Sequence, residues 1–442
     1  MSGDSLVFSG ENAYKYLYKL AVEIGSRPSG SESEKKTAEW IQSEFLRLGL
    51  DAKIEEFDVT SSRVLSKKLE VVEPYLEEVC CEVSPLSGST GPDGVTGEVV
   101  YLDNYDEECI TDAVSGKIIL TSGQPSDRDK ALRRLMRYKP LALVIIESTW
   151  KGLAKNLWGS STQRKKHGNL PTVRTSFEDG MRIMQKNARK VHIIADTEEL
   201  SVKSQNVIAE LRGSALPDET IIVGGHYDTV LEVSGAGDNA GGAAITLELA
   251  RVFKEKSTKR TMRFAAWGCE ELGLLGSYAY AKKLRETSDI VKKADENAVT
   301  ELDNIMLCVN LDVHGGLIGT NSSTITGPPD LTAAIKTLSK ELGSGFKINE
   351  GIASSDSTSL ASVGVPSISF SRNTPTNSLM HSLDDDIRWM SPRALQVHGD
   401  FVEEFLTRYV ARAAAFPFEK TMPEKLKKDI EEYYKHMGRK PP

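Results

Sequence analysis

Residues 221–230, IIVGGHYDTV, lead into a glycine-rich turn, SGAGDNAGG at 234–242, and then a helical run, AAITLELARVF at 243–253. A second apolar run, TMRFAAWG at 261–268, ends in CEELGLLGS at 269–277. Apolar run, turn, helix-periodic run and apolar run again is the pattern of a strand–helix–strand unit in an α/β sheet. His226, Asp228, Asp238, Glu270 and Glu271 each stand just past a strand-like run or at the mouth of the helix. In an open α/β sheet that is where sites form. Histidines and carboxylates placed there suit a divalent metal better than a packed core, because burying unpaired carboxylates is costly.

The same alternation continues on both sides of this stretch. Toward the C-terminus, strand-like runs (NVIAEL at 206–211, IMLCVNLDV at 305–313, VPSISFS at 365–371) alternate with helical ones (LTAAIKTLSKEL at 331–342, and the long run 392–415). Toward the N-terminus, residues 11–25 and 32–48 read as amphipathic helices, with Ala38, Ile41, Phe45 and Leu48 at helical spacing and Gly49 as a stop. DAKIEEFDV at 51–59 then alternates like a strand. Between about 61 and 200 the character changes to short β-like runs: KLEVVEP, EVVYLD, KIILTS, LALVIIES and KVHIIA. Two helical pieces, DKALRRLMRY and SFEDGMRIMQKNA, interrupt them. The expected fold is therefore α/β, a mostly parallel central sheet flanked by helices, with a β-rich module inserted. The expected divisions are 1–60 and 201–416 for the main body, 61–200 for the module and 417–442 for a helical tail. In that tail Leu426, Ile430, Tyr433 and Met437 share a helical face, read as packing against the body.

A chain of 442 residues predicts about two or three domains. A net charge of −8 argues against nucleic acid and anionic membranes as partners. No apolar run approaches the ~20 residues of a membrane span. Five cysteines without C-x-x-C spacing imply neither a zinc knuckle nor a disulfide framework. The start, MSGDSLVFSGENAYKYLYKL, has no basic and apolar leader pattern, so a reduced, cytoplasmic location is expected. Association with further copies of the chain stays open.

Asp312 in CVNLDVHG and His381 in LMHSLDDD complete a set with His226, Asp238 and Glu271: two histidines and three carboxylates. Two divalent ions a few Å apart repel each other, so a bridging carboxylate is needed, with one histidine and one further carboxylate for each ion. Asp238, between glycine-flanked turns at a helix entrance, is the natural bridge. Glu270 precedes Glu271 and is placed to act as a base toward a bound water. Asp228, two residues after His226, is close enough to accept a hydrogen bond from its far ring nitrogen. His167 and His192 sit in no acidic cluster and are read as surface or core residues; His398 and His436 are read as structural.

GGHYDT, GAGDNAGG, CEELGLLGS, NLDVHG and MHSLDD, in that order, resemble the co-catalytic zinc aminopeptidases, a family that includes glutamate carboxypeptidase II and, more distantly, glutaminyl cyclase. SRPSGS at 26–31 and the helix after it resemble the same family, while SGKIILTSG, ALVII and LPTVRTSFEDG in the inserted module resemble a protease-associated domain. The resemblance implies two divalent ions, Zn2+, one on His226, Asp238 and Asp312 and the other on Asp238, Glu271 and His381. It implies Glu270 as general base and peptides with a free N-terminus as substrates. It also implies a cis bond after the bridging Asp238. Many relatives carry a tyrosine before the last metal histidine. Here Met380 stands there, which would move oxyanion stabilisation to the metals, Tyr227 or Arg372. His314 is read as lying behind the ligands or along the groove.

Other readings compete. Gly235-Ala-Gly237-Asp-Asn-Ala240 matches G-x-G-x-x-A formally, yet Asp238 would point negative charge at a pyrophosphate. A non-catalytic binding homologue would not need the full set of ligands with Glu270. A carboxypeptidase or an amide deacylase on the same di-metal core is the main alternative to an aminopeptidase.

Overall fold

The computed structural model describes residues 7–147 and 153–442; Ser148, the last residue of the expected strand 141–148, lies outside them, as does the start of the chain. Four parallel strands make the centre of the sheet, in the order Ser367–Asn373, Ile305–Leu311, Leu216–His226 and Arg260–Trp267. Successive residues of the inner strand face opposite cores. Ile221 and Val223 pack with the side carrying helix Gly241–Glu255, while Ile222 packs with Tyr280 and Ala281 of helix Leu275–Ala294. A strand covered on both faces reads as a continuous apolar run, which is what 221–223 shows.

Beyond these four strands the sheet is mixed on both sides. Thr320–Thr326 pairs antiparallel with Ser367–Asn373 and parallel with Lys347–Glu350. Sequence reading missed both strands, because TNSSTIT and KINE carry no run of alternating apolar residues. On the other side Lys190–Leu211 pairs antiparallel with Arg260–Trp267 and with Asp51–Glu73. These two strands, 22 and 23 residues long, pair from Asp51 with Glu210 up to Glu73 with Lys190. The divisions expected at 60/61 and 200/201 therefore fall inside continuous strands. KVHIIA and NVIAEL are the two ends of one strand, whose polar middle pairs with its neighbour while covering no core.

The far ends of these arms carry the module. Val95–Leu102, Ile118–Ser122, Ala142–Ile146 and Thr172–Thr175 extend the sheet there. One module core holds Leu69, Val71, Ile118, Val144 and Ile193; the opposite face holds Leu132, Leu143 and Trp158. The C-terminal helix Glu424–His436 buries Leu426, Ile430 and Tyr434, packed with Ala361 and Met422. Tyr434, not Tyr433, thus takes the buried place in the tail's apolar face.

Candidate metal centre

The candidate ligands sit at the ends of the central strands or in the loops beyond them. His226 is the last residue of Leu216–His226, Glu270 and Glu271 follow Arg260–Trp267, and Asp312 follows Ile305–Leu311. Asp238 lies in the turn before helix Gly241–Glu255, and the Asp238–Asn239 bond is cis. His381 lies in the loop after the short 3-10 turn Pro375–Leu379. The topology brings all five into two clusters that share Asp238. His226 Nε2 is 3.1 Å from Asp238 Oδ1 and 3.3 Å from Asp312 Oδ1. His381 Nε2 is 3.0 Å from Asp238 Oδ2 and 3.1 Å from Glu271 Oε2. The two oxygens of one carboxylate therefore face two different histidines. Glu270 and Glu271 also group with His226.

Polar partners fix these loops. Arg27, fully buried, donates to the carbonyls of Tyr227 at 2.6 Å and Ser234 at 2.8 Å, tying the loop after His226 to the turn before Asp238. The Asp385 carboxylate accepts from the N–H groups of Gly237 at 2.8 Å and Asp238 at 3.1 Å. The amides that a pyrophosphate would need are thus taken by an acid, which removes the dinucleotide reading. Asn239 donates to Leu311 O at 2.8 Å and accepts from Val313 N at 3.2 Å, joining the Asp238 turn to the Asp312 loop. Ser355 donates to Asp312 Oδ2 at 2.5 Å.

Asp228 does something other than expected. His226 Nδ1 meets the Asp228 backbone oxygen at 3.2 Å, with the carboxylate farther off at 3.5 Å. The carboxylate instead accepts from the N–H groups of Glu270 at 3.0 Å and Glu271 at 3.3 Å, and from Ser29 Oγ at 2.8 Å. It holds the turn that carries both glutamates.

The electrostatics fit bound cations. Burial disfavours charge on His226 and His381, yet the surrounding carboxylates push both well above the ordinary histidine range. Burial raises Glu270 well above the usual carboxylate range; His226 opposes this, and Glu271, Asp312 and Asp356 add to it. Glu271 Oε1 is buried with no hydrogen-bond partner. Buried acids that force imidazoles to hold protons, and a carboxylate oxygen without a donor, mark a site short of positive charge. Two His and three carboxylates are the nitrogen and oxygen donors that divalent zinc takes. Asp356, which sequence reading passed over, is fully buried nearby, and burial pushes its carboxyl up to about 7.

A cavity of about 350 Å³ opens onto the clusters, lined by His226, Asp238, Glu270, Glu271, Asp312 and His381. Met380 lines it as well. Neither proposed substitute for the missing tyrosine does. Tyr227 is fully buried, its hydroxyl donating to Gln205 O at 2.8 Å, and Arg372 is turned to Gly316 O at 2.7 Å and Asn321 Oδ1 at 2.5 Å. His314 does not line this cavity: it is buried edge-on against His398, its Nε2 at 3.0 Å from Phe370 O, and burial lowers it to about 4. His398 is likewise buried. His436, read as structural, lines the cavity with Tyr433 and Met437 of the C-terminal helix, and Gln124, Arg128 and Asn156 of the module face it. Only the spacing of Leu426, Ile430 and Tyr434 could have placed Tyr433 and Met437 off the buried stripe.

Residues 206–406 match the model of peptidase family M28. An aminopeptidase of Bacillus subtilis is 27% identical over 412 residues, 90% of this chain and 84% of that protein. Carboxypeptidase Q of Bos taurus is 26% identical over 285 residues, 61% of this chain and 60% of that protein. In structure, a zinc aminopeptidase from Bacillus subtilis superposes with a TM-score of 0.74 at 23% identity, over 96% of this chain and 100% of that one. The strands and turns that carry both clusters all fall inside the matched residues. Over residues 206–406, which carry every candidate ligand, the chain is similar to peptidase family M28, and it is a peptide hydrolase.

Proposed function

We propose that the protein is a two-zinc exopeptidase that removes N-terminal residues from peptides. The observation that carries this is the Asp238 carboxylate, whose oxygens lie 3.1 Å from His226 Nε2 and 3.0 Å from His381 Nε2. A shared carboxylate between two histidine–carboxylate clusters is what a pair of ions needs to sit close without prohibitive repulsion. His226, Asp238 and Asp312 would hold one ion; Asp238, Glu271 and His381 the other. When bound, the two ions polarise the scissile carbonyl and lower the pKa of a water at their open positions. Glu270 takes the proton from the attacking water and returns it to the leaving amine. Its backbone N–H is pinned by Asp228 at 3.0 Å, which fixes where the carboxylate starts from. The likeness to the Bacillus subtilis aminopeptidase extends over 84% of that protein, against 60% for carboxypeptidase Q.

One observation favours the second reading, a carboxypeptidase. Arg128 lines the cavity and makes no hydrogen bond or ion pair with any described residue, so it is free to meet a substrate carboxylate. A peptide panel run on metal-analysed protein separates the two. N-acetylation is expected to abolish cleavage. Cleavage of acetylated peptides from the C-terminal end, blocked by C-amidation, would give the function to the carboxypeptidase reading.

A further inference from the structure

We propose that Asn156, on the inserted module, is a positioning residue for His381, so that the module completes the Asp238–Glu271–His381 cluster. The inference rests on the two-ion reading above. The two ring nitrogens of His381 have separate roles. Nε2 faces Asp238 Oδ2 at 3.0 Å and Glu271 Oε2 at 3.1 Å, whereas Nδ1 meets the side-chain oxygen of Asn156. A neutral imidazole that binds through Nε2 carries its proton on Nδ1, and an amide oxygen there accepts it, fixing tautomer and ring rotation. The backbone is held from the same side: Lys155 N–H donates to the His381 carbonyl at 2.9 Å. His381 has φ +62°, a conformation disfavoured for a residue with a Cβ, so it needs such outside support.

Asn156 is itself anchored. Its carbonyl accepts from Arg174 Nε at 3.1 Å, and Arg174, 1% exposed, pairs with Glu147 at 2.7 Å and reaches Ser84 Oγ at 3.0 Å. Lys155 Nζ bonds Glu232 of the main body and lies 3.6 Å from Glu82 of the module. Residues 155 and 156 are therefore clamped between the two parts. The other cluster needs no such help, because His226 Nδ1 is served by the Asp228 carbonyl two residues along its own loop at 3.2 Å. One cluster can be oriented from within the main body. The other can be oriented only with the module in place, so the two ions should bind unequally. Asn156 also lines the cavity, which makes substrate contact the rival role.

Zinc competition against a chromogenic chelator, without substrate, tests this on the full chain. Asn156→Leu should weaken one of the two ions by ~10–100-fold and leave the other unchanged. Asn156→Asp, which keeps an acceptor at Nδ1, should restore both to within about threefold of wild type. Asn156→Leu holding both ions with wild-type affinity would overturn the proposal. So would equal weakening of both ions with a lowered Tm of the metal-free variant, since that marks a purely structural role. Wild-type protein that binds fewer than two ions would overturn the two-ion reading itself, and this proposal with it.

Discussion

Replacing Glu270 by glutamine tests the chemistry with least disturbance to the fold. The side chain keeps its shape, and the turn is held through backbone groups: Glu270 N and Glu271 N both donate to Asp228. The glutamine is also neutral, at a buried position where Glu271, Asp312 and Asp356 each disfavour a negative charge. The metal-free variant should therefore be no less stable than wild type. None of the five cluster residues is altered, so two ions should still bind. What is lost is the proton acceptor. General-base removal is worth roughly 10²–10⁴ in rate, or about 2.7–5.5 kcal/mol of transition-state stabilisation at 1.36 kcal/mol per factor of ten. Because the amide fills the same space, kcat should fall by that amount with KM changed little. The assay is initial rates on a short peptide with a free N-terminus, using protein purified without chelators and analysed for zinc. A Glu270→Gln variant holding two ions and turning over within about threefold of wild type would remove Glu270 from the mechanism.

Asp228→Asn should weaken zinc by ~10–100-fold, because an amide in place of the carboxylate cannot accept from Glu270 N, Glu271 N and Ser29 Oγ together; unchanged affinity in a chelator competition would refute that role. Tyr434→Ala removes a fully buried ring and its contact with Ser359 at 3.1 Å, at a cost of about 3–5 kcal/mol to the docking of the C-terminal helix. That should withdraw Tyr433, His436 and Met437 from the cavity wall, raising KM while zinc content stays at the wild-type level; an unchanged KM in a variant whose tail is cleaved faster by protease would show that the helix does not shape the substrate site.

The residues of the two clusters were legible because their signal is local. A histidine or acid at or just past the end of an apolar run is costly to bury without a partner, and 226, 271 and 312 stand at such points, while 238 stands at a helix entrance and 381 in an acidic loop. The central strands were legible for the same reason, since burial on both faces writes itself as Ile221, Ile222 and Val223 in a row. Period-two alternation also carried information that went unused. If His226 at a strand end faces the site, its neighbour Tyr227 must face away, and the structure puts its hydroxyl on Gln205. The supporting layer has no comparable local mark. Asp385 acts on Gly237 and Asp238, Arg27 on Tyr227 and Ser234, and Asn156 on His381, each across 147 to 225 residues of chain. No spacing within one segment encodes such a pair; it exists only once the strand order is known. The tail shows the limit within a single helix. Adjacent tyrosines at 433 and 434 both suit an apolar stripe, and only contact with Ala361 and Met422 decides which is buried and which turns to the cavity. Chemistry was therefore readable where burial penalises a residue type outright. It was hidden where polar groups become satisfied by partners that the fold, and not the neighbouring sequence, supplies.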